Sequence, residues 1–131
     1  MIALKFEPKQ PPREFEVGFD KKGSIRDCGA MYLEPDEQIT FVTEVGAEYD
    51  VTRKDWGFYA GPSLNGRLQS FGLRSVLVKN RVDRYFVLLV ERGKEAAFDA
   101  YVAAEPLTIV AWLDTTEALR SLAAKVSTPG E

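Results

Sequence analysis

Apolar and polar residues alternate with a period of two through much of the first two-thirds of the chain, and this pattern predicts strands. From Glu14 to Phe19 the residues Phe15, Val17 and Phe19 share one face. Asp20-Lys21-Lys22-Gly23 reads as a hairpin turn into a second strand from Ser24 to Leu33. Gln38 to Glu44 follows with Ile39 and Phe41 on one face, then Glu48 to Arg53 with Tyr49 and Val51 on one face, and a short strand from Trp56 to Tyr59. Gly61 to Gly72 has no clear period and suggests one helical turn near Leu64 to Leu68. Two strongly apolar strands, Leu73 to Lys79 and Tyr85 to Glu91, flank a hairpin loop at Asn80-Arg81-Val82-Asp83. The run from Tyr85 to Val90 does not alternate at all, which predicts a central strand covered on both faces.

The pattern then changes to a helical spacing. Gly93 to Ala104 predicts a helix with Phe98, Tyr101 and Val102 on one side. Asp114 and Glu117 form a start resembling a capping box, and Leu119, Leu122, Ala123 and Val126 give the helix after it an apolar stripe. Leu107 to Leu113 is open between the two states: Thr108, Ile109, Val110 and Trp112 favour a strand, while Pro106 suits the start of a helix. The expected class is α+β, with a strand-rich N-terminal two-thirds forming an antiparallel meander or small barrel-like sheet and two helices at the C-terminal end. Residues 1–131 read as one globular domain, with 1–13 an extended, proline-containing arm and 127–131 a frayed tail.

Composition narrows the chemistry more than it narrows the fold. The 131 residues contain no histidine and one cysteine, and carry a net charge of −3. Without histidine the usual general base near neutral pH is missing, and Ser-His-Asp, Cys-His and histidine-ligated metal sites cannot be built from this chain. Cys28 follows Asp27, whose charge opposes thiolate formation, so it is expected to be a structural, at least half-buried residue. Glu34, Asp36 and Glu37 lack the spacing of a cation loop and are expected to form a solvated turn. No metal and no cofactor is expected. One cysteine, no apolar leader and no run near the roughly 20 residues of a membrane helix give a cytoplasmic expectation without membrane insertion.

Charge is unevenly spread. Arg67, Arg74, Lys79, Arg81 and Arg84 stand against one acid, Asp83, and Arg74, Lys79, Arg81 and Arg84 are candidates for steering an anion. The acidic total argues against nucleic-acid binding. The segment with most binding character runs from Tyr49 to Arg67. There Trp56, Phe58 and Tyr59 precede a loop carrying Ser63, Asn65 and Arg67, and Asp55 lies beside Trp56. Aromatic faces stack on sugars or bases, and an arginine fork grips a carboxylate or phosphate. The candidate ligand-binding residues are therefore Asp55, Trp56, Tyr59, Ser63, Asn65 and Arg67. The competing reading makes Trp56 and Phe58 core residues and the glycine-containing dipeptides ordinary turns.

The runs from Ser24 to Gly29, from Tyr32 to Gln38 and from Glu48 to Arg67 resemble a small uncharacterised bacterial protein family associated with surface-polysaccharide and sugar biosynthesis loci. The resemblance covers Gly23 to Leu113 and implies a carbohydrate-related accessory role, with no catalytic residue to carry over. The leading expectation is thus a non-catalytic binding or accessory protein whose ligand is a sugar, a nucleotide sugar or a protein partner. One alternative is a histidine-free enzyme using Asp55, Glu48, Tyr59 or Lys54 on a sugar or nucleotide. The other is a protein-interaction module or homodimer.

Overall fold

The computed structural model describes residues 5–18 and 23–127. The fold is α+β, every strand pairing is antiparallel, and the two longer helices lie toward the C-terminal end. The strands divide among three small sheets. The first is a hairpin of β1 (Phe6–Val17) and β2 (Gly23–Met31). The expected side chain of Phe19, most of the Asp20–Gly23 turn and the tail beyond Ser127 lie outside the described residues.

The strand expected from Glu14 begins at Phe6, so the proline-containing arm is itself part of the sheet. Its register breaks between Pro8 and Arg13, as it must where Pro11 and Pro12 have no N–H to give the ladder. Gly29 pairs with Pro8 and has a φ of +147°; a Cβ there would run into the Glu7 carbonyl. The close approach of the two backbones therefore requires glycine. Cys28 is exposed rather than buried, because this two-stranded hairpin has no core of its own to hide it in.

The expected meander is found in β3 (Gln38–Val42), β4 (Glu48–Lys54) and β5 (Gly57–Ala60). Lys54 pairs with Gly57, so Asp55 and Trp56 form a two-residue turn between β4 and β5. A single helical turn, α1 (Arg67–Ser70), leads into the third sheet. That sheet contains β6 (Leu73–Lys79), β7 (Tyr85–Glu91) and β8 (Thr108–Trp112), in the order β7-β6-β8. Leu107 to Leu113 is thus resolved as strand, its β-branched residues outweighing Pro106.

β7 is an edge strand, which corrects the expectation of a central one; β6 lies at the centre. An unbroken apolar run is compatible with either place, and here Leu88 and Val90 pack into one core cluster and Leu89 into another, while Tyr85, Phe86 and Val87 stay exposed. Helix α2 (Glu95–Ala104) supplies the cover, with Phe98 and Val102 closing over Val76, Val78, Val90 and Trp112. The Phe98 and Trp112 rings meet edge to face at 5.8 Å. A second cluster joins Ala47, Leu68 and Leu73 to Tyr49, Leu64 and Leu89, and so couples the meander to the third sheet.

Helix α3 (Thr116–Val126) is capped by Thr115, whose hydroxyl accepts from the Ala118 N–H at 3.0 Å. Asp114 is therefore not the cap; it is buried against Arg74. The predicted apolar stripe of α3 exists, but no residue of the helix is buried and Leu122 and Val126 are exposed. No helix among the described residues is long and apolar enough to cross a membrane.

Candidate functional site

The β4–β5 hairpin carries its aromatics outward. Trp56 at the turn is 73% exposed, Phe58 66% and Tyr59 51%. Phe58 faces Arg53 across the strands and Tyr59 faces Thr52, so the two rings occupy opposite faces of the sheet, with Trp56 at its tip. The reading of Trp56 and Phe58 as core residues is thereby corrected: β5 is an edge strand, and no described residue closes over either ring to bury it. Gly57, with a φ of +146°, makes the turn that holds Asp55 and Trp56 apart from the strands.

The polar candidates of the following loop are each engaged within the fold. The Ser63 hydroxyl accepts from the Arg67 N–H at 3.1 Å and so starts α1. Asn65 donates through Nδ2 to the Thr116 hydroxyl at 3.0 Å, tying the loop to α3. Arg67 donates through Nη2 to Asp50 Oδ2 at 2.8 Å and lies over the Phe71 ring at 4.9 Å. Asp50 is buried and also accepts from the Thr40 hydroxyl at 2.6 Å. The guanidinium thus neutralises a carboxylate of its own chain, and Ser63, Asn65 and Arg67 each make a hydrogen bond within the fold.

The four basic candidates for anion steering divide similarly. Arg74 donates to Asp114 at 2.6 Å and to Glu95 at 3.4 Å, and stacks over Trp112 at 4.1 Å. The bond to Asp114 in particular holds its guanidinium protonated beyond its ordinary range. Two carboxylates meet its charge, and that removes it from any strip that draws in an anion. Lys79 lies 3.8 Å from Asp83. Arg81 and Arg84 are exposed in the loop from Asn80 to Arg84, one residue longer than the expected loop. Asn80 shapes that loop by accepting from the N–H groups of Val82 and Arg84, both at 3.0 Å.

The acidic turn is solvated, as expected, and internally paired. Glu37 accepts from Lys5 at 2.5 Å and from the Glu34 N–H at 2.7 Å, and Asp36 accepts from Lys54 at 2.6 Å. The hydrogen bond to Asp36 raises the Lys54 pKa, which is the wrong direction for a lysine acting as base or nucleophile. Among the described residues no group of three or more Cys, Asp or Glu converges as a metal-ligand set would.

Two cavities lie elsewhere. One of about 390 Å³ opens between the β1–β2 hairpin and the third sheet, lined by Val17, Ile25, Val78, Phe86, Leu88 and Leu107, with Asn80, Tyr101 and Glu105 as its polar groups. The other, of about 350 Å³, lies between the β3–β4 turn and the end of β7, around Glu48, Ser70, Glu91 and Arg92. Neither is lined by Asp55, Trp56, Tyr59 or Arg67. Residues of the first cavity come from five separate elements and the loops between them, and no local motif marks them in the sequence. No family model matches the chain, and no curated protein or solved structure is detectably similar to it.

Proposed function

We propose that the protein is a non-catalytic binding or accessory protein of the bacterial cytoplasm, serving carbohydrate or nucleotide-sugar metabolism through the aromatic β4–β5 hairpin. The observation that carries the reading is the outward display of Trp56, Phe58 and Tyr59 on a two-residue turn. Large aromatics left in water on a rigid hairpin cost solubility, and they are what a flat sugar or base face stacks on. Asp55 adds a carboxylate beside Trp56 that accepts hydrogen bonds from sugar hydroxyls. The resemblance of the runs from Ser24 to Gly29, Tyr32 to Gln38 and Glu48 to Arg67 to the polysaccharide-locus family points to the same ligand class.

Support for the non-catalytic half comes from the pairing of the polar candidates. Arg67 and Lys54 are each committed to a carboxylate of the same chain. The test is titration of the wild-type chain and Trp56→Ala with a panel of nucleotide sugars, followed by tryptophan fluorescence and thermal shift. The expected result is a ligand that shifts the wild-type emission and melting temperature and does neither to Trp56→Ala. A panel in which no nucleotide sugar changes either signal would overturn the carbohydrate reading.

A further inference from the structure

We infer that β7 is a self-association edge, and that two copies of the chain pair their β7 strands antiparallel into one continuous six-stranded sheet. The proposal concerns a different strand from the β4–β5 hairpin and stands independently of any ligand there.

The third sheet has two edges, and they are not alike. β8 has a register shift opposite Leu77 and Val78, where Val110 is left over between the paired Ile109 and Ala111. Such a bulge twists an edge away and blunts it. β7 pairs with β6 through seven successive residues without interruption. From Tyr85 to Val90 it has no proline, no charge and no bulge, and so none of the devices that protect an edge. Its outer end is also apolar and open: Tyr85 is 56% exposed and Val87 60%.

The hydrogen-bond phase of the strand follows from its two ends. Asn80 N–H donates to the Arg84 carbonyl at 3.0 Å, and Arg92 N–H donates to the Gly72 carbonyl at 2.8 Å. Residues 84 and 92 therefore face β6. Because the backbone alternates, the N–H and C=O of Tyr85, Val87 and Leu89 point out of the sheet, whereas the Glu91 carbonyl already accepts from the Lys94 N–H at 2.9 Å. A two-fold axis through Leu88 satisfies that phase. It sets Val87 opposite Leu89 of the second copy as the central hydrogen-bonded pairs, with Leu88 opposite itself between them, Phe86 opposite Val90, and Tyr85 opposite Glu91 at the ends of the ladder. A register centred between two residues would pair an outward group with an inward one and is forbidden. The like-charged pair in this arrangement, Arg84 opposite Arg92, falls at the exposed ends, where water screens it.

Surface area sets the scale. A compact monomer of 14.7 kDa exposes about 6,900 Å², while this chain exposes 9539 Å². The excess, about 2,600 Å² over the whole chain, leaves apolar surface for a second copy to cover, part of it on the β1–β2 hairpin and part along β7.

The test is sedimentation velocity across micromolar concentrations on the wild type, Val87→Lys and Val110→Lys, with amide hydrogen exchange of the wild type resolved by residue. The expected outcome is a wild-type dimer, a dissociation constant raised about 100-fold or more by Val87→Lys, and no change for Val110→Lys. In the same dimer the Val87 and Leu89 amides exchange slowly, although neither donates within the chain. That readout needs no variant, so it decides the question if Val87→Lys fails to fold. A wild-type monomer, fast exchange at Val87 and Leu89, or a dimer that Val110→Lys disrupts instead would each overturn the proposal.

Discussion

Arg74 on β6 donates from Nε to Asp114 Oδ2 at 2.6 Å, joining residues 40 apart in sequence. Asp114 is only 4% exposed, and the Arg74 guanidinium sits over the Trp112 ring at 4.1 Å while also reaching Glu95 at the start of α2. One cation therefore fastens β6, the end of β8 and α2 together. Removing the carboxylate leaves a partly buried guanidinium with a single longer partner. Asp114→Ala is expected to cost about 2–4 kcal/mol, measured as a lower urea midpoint with unchanged slope.

Arg67 was a candidate ligand residue, and its bond to Asp50 gives that role a sharp competitor. Arg67→Ala would leave the buried Asp50 carboxylate with Thr40 as its side-chain hydrogen-bond donor. The expected loss is about 1–3 kcal/mol of stability, with partial recovery in Arg67→Lys. An Arg67→Ala protein as stable as the wild type would mean that the guanidinium is not holding the fold.

Aromatic residues here divide cleanly by burial. Trp56→Ala is expected to change stability by no more than about 0.5 kcal/mol, because the ring stands in water. Phe98→Ala removes a ring packed on Trp112 and Val78 and is expected to cost about 3–5 kcal/mol. Thermal and urea melts of the two variants side by side check both values.

Acid should loosen two junctions. The Lys5 hydrogen bond holds the Glu37 carboxyl below its ordinary value, and backbone N–H groups of Glu95 and Gly93 do the same for Glu95. Folded values below the unfolded one of 4.5 mean that these contributions are fully present above it. They are lost as pH falls from there through the depressed folded values. A melting temperature tracked downward from neutral pH should fall in that window, and Glu37→Gln should flatten part of the fall.

Much of the backbone plan was legible in the chain. Both strands of the β6–β7 hairpin have the bounds that their apolar runs imply, and α2 starts within two residues of its expected place. Local rules suffice there because a hairpin and a short helix are made by neighbours in sequence. Thr115 rather than Asp114 caps α3, because Asp114 is claimed by Arg74 from another strand, a competition that no local pattern records. The aromatic hairpin was legible as a candidate site, whereas the commitment of Ser63, Asn65 and Arg67 to Arg67 N–H, Thr116 and Asp50 was not.

The sequence by itself determined the α+β class and the antiparallel hairpins. It also excluded histidine chemistry, since residue type and period are local properties. Only the tertiary structure decided that β7 is an edge and that Trp56 and Phe58 face water. The same apolar residues satisfy a buried or an exposed strand equally well, and which one they make depends on what the rest of the chain brings to cover them. Here α2 covers one face of a three-stranded sheet, and no strand of the described chain reaches the outer edge of β7.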